Sequence, residues 1–302
     1  MDFIELGKRI YRVSNPREAH RLAVFVIRCC VHNEQMERLE DFFLDDDMMR
    51  KISETCPFVY EQPTRSFFYY HSTFSERTDL LKDHLLFLKS KLKPEILLGL
   101  YDDATQILFE KKFDNDILQL LFRFESGQRK EGLASLMLKF NGVTLYQIIF
   151  WLAKDHILQK DDLYAMWIGA MQGPNVDDSK EFVKLVTKKC FGYRTKNLIL
   201  YCLQTFTRSL DIERIFAVTN KGYYANNHLR LDRKLKTSFS DFWEEVGGIP
   251  TDDKRFFELP LFENRKSAEE IPTRKRALYR KRFALLDEIE QQISESMEKI
   301  LK

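Results

Sequence analysis

The chain predicts an α+β fold: a mixed, largely antiparallel sheet with a helical crossover, preceded by a helical region and closed by a long C-terminal helix. Three observations carry this. Apolar residues recur at helical spacing from Asn15 to about Leu100, then shift to short runs of period two broken by turn residues. Two buried strands, one from Leu163 and one from Ile212, flank a stretch of helical character. The division that follows is a mainly helical region over 1–100, packed on an α/β core over 101–302 that carries a basic C-terminal helix.

Taken in order, Asn15 precedes Pro16 and Glu18, the signature of a cap with proline in the first turn, and Ala19, Leu22, Ala23, Val26 and Ile27 form one apolar face. Glu34 to Phe43 predicts a second helix, and Asp45, Asp46 and Asp47 read as a solvated turn; a calcium loop would need a central glycine and a closing glutamate. The aromatic run Arg65 to His71 predicts a short strand or the lining of a groove. Thr73 to Lys91 is again helical, with His84 tucked among its leucines. Strands are expected at Ala104 to Phe109, Ile117 to Phe124, Gly132 to Phe140, Thr144 to Ala153 and Leu163 to Met171, the pair Asn141-Gly142 marking a tight hairpin. Short links make these an antiparallel meander. A parallel return then needs a helical crossover, supplied by Asp178 to Cys190 and Thr195 to Leu210, before the strand Ile212 to Thr219. Phe256 to Pro260 predicts a short edge strand, and Pro272 to Lys302 a long charged helix.

Composition narrows the class of protein. The 302 residues are 44% hydrophobic, and 48 basic residues nearly balance 46 acidic ones, which argues against a charged-tail protein. No uncharged apolar run reaches the roughly 18 residues that crossing a bilayer takes, and the first residues lack the order of a signal peptide, so a cytoplasmic location is expected. The five cysteines form no CxxC pair, as in a reducing compartment, and no metal-ligand spacing appears.

Polar groups that could carry chemistry gather around the crossover. The turn Phe191 to Asn197 opens a helix just after Gly192. Its backbone N–H groups, with Thr195, Asn197, Arg194 and Lys196 beside them, would suit a phosphate, pyrophosphate or carboxylate, and would equally serve as a solvated loop. A single glycine excludes Rossmann and Walker loops. Gln172 and Asn220 end the two strands that flank the crossover, so Gln172, Arg194 and Asn220 are expected to meet beyond the carboxyl ends of the strands. Glu131 and the pair Asp161-Asp162 precede strands and could supply a base, though such residues usually sit in water. His228 is the histidine least explained by packing. There is no G-x-S-x-G serine elbow. The six basic side chains from Arg274 to Arg282 could meet an acidic partner or anionic lipid, while Leu278, Phe283, Leu285 and Leu286 suggest a helix docked on its own protein. Near-neutral overall charge argues against nucleic acid.

Motifs along the chain resemble the VirK/YbjX family of bacterial proteins, a domain of unknown function. They run from Ser72 through Glu76 and Arg77 to His84, then Arg129 to Gly132, Met171 to Gly173, Gly192 to Lys196, Ala217 to Asn220, Asp241 to Trp243, and Ile271 to Arg282 followed by Leu285 to Asp287. The chain departs from the family pattern at Thr195, where a proline is expected, and at Gly222 to Tyr224, where a histidine is expected. The resemblance implies a Gram-negative protein linked to envelope integrity, resistance to cationic peptides or virulence, through lipid A or outer-membrane protein placement; peripheral contact with the inner membrane or an envelope protein would come through the basic C-terminal helix. The strand, crossover helix and returning strand are also similar to the core of acyl-CoA-dependent acyltransferases of the N-acetyltransferase type. That likeness implies an acyl thioester or another anionic small molecule held by Gln172, Gly192, Arg194, Thr195, Lys196 and Asn197, with Asn220, Tyr223 or Tyr224 near the transfer centre, while His228 is a separate candidate general base. It identifies no particular cofactor. The alternative is a noncatalytic envelope or regulatory factor that binds a partner or an anionic surface through its basic helix.

Overall fold

The structure is a computed structural model that describes residues 1–124, 130–158, 162–227 and 238–302. Its helical first third comprises α1 (Phe3–Ile10), α2 (Pro16–Val31), α3 (Asn33–Leu44), α4 (Asp47–Thr55), α5 (Phe74–Lys91) and α6 (Pro94–Tyr101). Local chemistry places their starts. The Asn15 side chain accepts from the Arg17 amide with proline at the first position of α2. Thr73 and Glu76 close a reciprocal capping box on α5, with Thr73 N donating to Glu76 Oε2 at 2.6 Å. The aspartate run is more than a turn: Asp46 caps α4 by accepting from the amides of Met48 and Met49, at 3.0 and 3.1 Å. That helix is too short for its period to stand out in the sequence.

The sheet comprises β1 (Thr105–Phe113), β2 (Asp116–Arg123), β3 (Ala134–Phe140), β4 (Val143–Lys154) and β5 (Tyr164–Gln172), each antiparallel to the next. Asn141 and Gly142, at φ +51° and +78°, make the turn between β3 and β4, since a two-residue hairpin needs positive φ at both places. Next come α7 (Ser179–Lys189) and α8 (Thr195–Ser209), which carry the chain to β6 (Ile215–Val218), parallel to β5. Then follow α9 (Phe239–Glu245), β7 (Ile249–Pro250), β8 (Phe256–Leu259) and α10 (Arg276–Ile300). The strand order is β1-β2-β3-β4-β5-β6-β8-β7. The expected edge strand, β8, therefore lies inside, because the two-residue β7 pairs along its outer side.

Alternation along β4 splits its aromatic residues between two layers. Phe150 faces α8, where Phe206 also meets Phe122 at 4.9 Å. Trp151 faces the other way, against Phe68, Tyr69 and Trp167. On that side α5 crosses β4, and the fully buried His84 uses Nδ1 to accept the Leu152 amide at 3.1 Å. On the opposite side α10 lays Leu285, Leu286, Ile289, Ile293 and Met297 against α8 and β1, all at 2% exposure or less. The C-terminus ties back to the helical region through the Leu92↔Leu301 bridge. Of the apolar residues near the start of α10, Leu285 and Leu286 are buried, Phe283 is half-buried and Leu278 exposed.

Candidate functional site at the parting of two parallel strands

The parallel pairing of β5 with β6 runs only from Met166↔Ile215 to Ile168↔Ala217. Beyond it β6 ends at Val218 and β5 continues to Gln172. Just past the last pair stands Gly169. A Cβ there would fall 1.7 Å from the carbonyl oxygen of Glu131 and 2.9 Å from Cζ3 of Trp151. The glycine lets the segment before β3 lie directly on β5, and that segment delivers Glu131 to the place where the strands part.

Glu131 is only 3% exposed, and its Oε2 has no hydrogen-bond partner. Its Oε1 accepts from the Tyr223 hydroxyl at 3.2 Å. Burial raises the carboxyl to about 7, against the partial relief that the Tyr223 bond and the Lys130 charge provide. The loop carrying Tyr223 is held by backbone contacts: Tyr70 N donates to the Gly222 carbonyl at 2.9 Å, and Tyr69 and Tyr223 form an isolated antiparallel bridge. A carboxylate near neutrality, hydrogen-bonded to a phenol, can take a proton at physiological pH and return it. The sequence reading placed Glu131 in water; burial under residues 66–72, more than 50 positions earlier in the chain, reverses that environment.

The start of α8 lies beside the end of β5. The Tyr146 ring would touch a Cβ on Gly173 at 3.4 Å, and the Arg194 charge acts on the half-buried Tyr146 hydroxyl. No side chain caps α8. Thr195 is 1% exposed with an unpartnered Oγ1, and Asn197 has an unpartnered Oδ1. Gly192 adopts φ +72° under the Arg282 side chain, which donates to the Phe191 carbonyl at 3.1 Å. The cations of this turn are engaged by α9: Arg194 pairs with Glu245, and Lys196 Nζ lies 3.8 Å from the centre of the Phe242 ring. Burial, reinforced by Arg194, lowers Lys196 to about 8. Asn197 opens onto a cavity of about 310 Å³ whose walls include Tyr193, Gln204, Glu245 and Glu263, a more acidic surface than the sequence suggests.

Residues 14–295 match the family described as protein of unknown function (DUF535). The chain belongs to that family. It is 31% identical to the uncharacterised protein YbjX of Escherichia coli K12 over 168 residues, 55% of this chain and 49% of that one. It is 32% identical to an uncharacterised protein of Haemophilus influenzae over 44% of each chain. The chain thus spans about half the length of these curated relatives. A third relative, membrane protein LapB of Mannheimia haemolytica, is 24% identical over 71% of this chain and 87% of its own length. No solved structure matches. Among the described residues, no helix is long and apolar enough to cross a membrane.

Several motifs of this DUF535 chain brace the site from around it. The buried Arg77 donates to the Pro63 carbonyl at 2.7 Å and to Ser72 Oγ at 3.2 Å, fixing the loop that bears Tyr69. Trp243 donates from Nε1 to the Val218 carbonyl at 2.8 Å, joining α9 to the end of β6. Asn220 spends its side chain on the same junction, accepting from the Phe239 amide at 2.7 Å and donating to Ser238 at 2.9 Å. Gln172 is half-buried opposite Gln147, and Tyr224 is buried with its ring edge-on to Tyr223. His228 lies outside the described residues. Arg194 and Asn220 both reach α9, through Glu245 and Phe239, while Gln172 lies opposite Gln147 on β4.

Proposed function

We propose that this DUF535 chain is a group-transfer enzyme of the acyltransferase type in which Glu131 is the general base. One observation carries the reading: a buried carboxylate raised to about 7 stands where two parallel strands part, and the crossover between those strands contains the uncapped start of α8. In this reading the thioester's anionic end lies at Thr195, Lys196 and Asn197, where backbone donors and the helix dipole favour negative charge. Glu131 removes a proton from an acceptor amine as the amine nitrogen attacks the thioester carbonyl. The C–N bond forms, the C–S bond breaks, and the leaving thiolate takes a proton from solvent. Tyr223 holds the carboxylate in place while it ionises. The LapB relative is named a membrane protein, which supports an acceptor at a membrane.

The test is release of free thiol from acetyl-CoA and longer acyl-CoAs in the presence of an amine mixture, with native mass spectrometry for any retained thioester. Glu131→Gln is expected to lower turnover by about two orders of magnitude or more while the thioester still binds. If the native protein neither releases thiol above background nor retains a thioester, acyl transfer fails.

The noncatalytic reading retains one specific support. Leu278 is 41% exposed on α10 among Arg274, Lys275, Arg280 and Lys281, which also face solvent. Such a face suits an anionic surface. Co-sedimentation with vesicles containing phosphatidylglycerol tests it, and no pelleting at low salt sinks it.

A further inference from the structure

On the sheet face opposite α8, a cavity of about 60 Å³ opens between α5 and β4. Its floor is aromatic. Trp151 and Trp167, each 1% exposed, stack with ring centres 6.1 Å apart and planes 4° from parallel, and Tyr69 lies over Trp151 at 6.2 Å. The Trp167 N–H is already donated to the Ala153 carbonyl at 3.2 Å. Glu76 and Asp79, one turn apart on α5, stand at the walls.

Neither Glu76 nor Asp79 forms an ion pair among the described residues. The basic groups nearby are committed elsewhere: Lys154 to Asp162 at 3.0 Å, His156 to Asp83 at 3.1 Å, Arg255 to Asp253 at 2.6 Å, and the buried Arg77 to the Pro63 carbonyl at 2.7 Å and Ser72 Oγ at 3.2 Å. Tyr69 adds a second sign of a missing partner. The residue is fully buried, lines the cavity beside the Glu76 carboxylate, and its hydroxyl meets hydrogen-bond geometry with no group among the described residues. Leaving such a group without a partner is costly, so it marks a place where something else accepts or donates.

We propose that this cavity binds a primary alkylammonium group. The three N–H donors of an ammonium match the Tyr69 oxygen, Glu76 and Asp79, and the surrounding aromatic rings accept its short alkyl part. An anion would meet two unpaired carboxylates. A metal ion would lack ligands, since no group of three metal-binding side chains occurs among the described residues. The volume admits a short alkyl chain with its charged head and no more, because one water needs about 10–15 Å³ on the same measure. The donor is either a free small amine or the lysine end of a larger molecule.

The probes are ethylammonium, ethanol and acetate, followed by tryptophan fluorescence of the full chain, with Nα-acetyl-lysine methylamide to separate the two sources. Ethylammonium is expected to give a saturable change in roughly the millimolar range, and ethanol and acetate none. If acetyl-lysine methylamide binds tighter than ethylammonium, the ligand is a side chain; the reverse makes it a free amine. Glu76→Gln with Asp79→Asn should weaken binding at least about tenfold, and glutamine at position 76 keeps the capping box. Tyr69→Phe separates binding from folding, because removing an unpartnered hydroxyl should leave the melting temperature unchanged or raised while affinity falls. Equal binding of ethanol, no saturable response to ethylammonium, or full affinity in the doubly substituted variant overturns the proposal.

Discussion

The Tyr223 hydroxyl donates to Oε1 of Glu131 at 3.2 Å, across 92 residues of sequence. This bond joins the segment that leads into β3 to the loop that leaves β6, and the aromatic run Phe67–Tyr70 bonds to both: Phe68 N donates to the Lys130 carbonyl at 2.7 Å and Tyr70 N to the Gly222 carbonyl at 2.9 Å. Glu131 is held there in an environment that favours its neutral form, with a second oxygen left unpartnered.

That placement sets a pH dependence with a definite sign. Burial lifts Glu131 from the ordinary 4.5 to about 7 in the folded protein. Its favourable contribution is therefore complete below pH 4.5 and is lost as pH rises through 7. Glu131→Gln, which stays neutral, should match the native stability near about pH 4.5 and exceed it by about 3 kcal/mol at about pH 8.5. Urea melts of both proteins at the two pH values check this. A pH-independent difference would mean that Glu131 ionises normally.

His84 titrates in the opposite sense. Burial lowers it from 6.5 to about 3, and its Nδ1 is occupied by the Leu152 amide. The depressed value means that His84 supports the fold above pH 6.5 and that this support is lost as pH falls toward 3. About 2 kcal/mol should be gone by pH 5. His84→Asn can still accept the amide and should flatten that acid limb. Among the six histidines, the His84 ring resonances should not move in an NMR titration down to about pH 4.

The meander, the crossover and the terminal helix were legible because each has its own period or turn chemistry, with Asn141-Gly142 as the sharpest signal. The missed elements are short. α4 and α9 give too few turns for a period, and α9 exists through Asn220, Ser238 and Trp243 tying it to β6. The positions of β7 and β8 depend on pairing, which no local pattern records. In the site, the uncapped start of α8 could be read from Gly192 to Asn197. The environment of Glu131 could not, because it is set by Gly169 and the loop of Tyr69. The aromatic run from Phe67 to Tyr70 was the one signal that pointed there.

Gly169→Ala should damage both fold and activity. The added carbon would meet a backbone oxygen at 1.7 Å, and backbone cannot swing away as a side chain can. Overpacking of this kind costs about 3 kcal/mol, and relief would require the Glu131 segment to lift from β5. The expected result is a lower melting temperature together with loss of the pH-dependent difference described for Glu131→Gln. An unchanged melting temperature would contradict the close approach.

Helix α10 should be indispensable whatever its surface does. Leu285, Leu286, Ile289, Ile293, Met297 and Ile300 are buried along it, and such side chains contribute about 2 kcal/mol each. Losing about 10 kcal/mol removes most of a typical domain's stability. Truncation before Arg276 should therefore give aggregated or unfolded protein by circular dichroism. By contrast, Arg280→Gln with Lys281→Gln should shift stability by less than about 0.5 kcal/mol, so any loss of vesicle binding in that variant reports the surface alone.

The start of α8 offers the most discriminating test of the transfer reading. Arg194 is paired with Glu245, and both side chains are about half exposed. An anionic ligand at the N–H groups of Thr195 to Asn197 would gain from Arg194 and be opposed by Glu245. Removing the carboxylate should strengthen binding, and removing the guanidinium should weaken it. Glu245→Gln is expected to tighten the Kd for coenzyme A severalfold at low salt, and Arg194→Ala to loosen it by a similar factor. Both effects should shrink at high salt, because the groups face solvent. Isothermal titration at two ionic strengths reads all of this. The opposed signs matter more than the sizes: a fold defect would weaken binding in both variants, whereas an anion seated elsewhere would leave both unchanged.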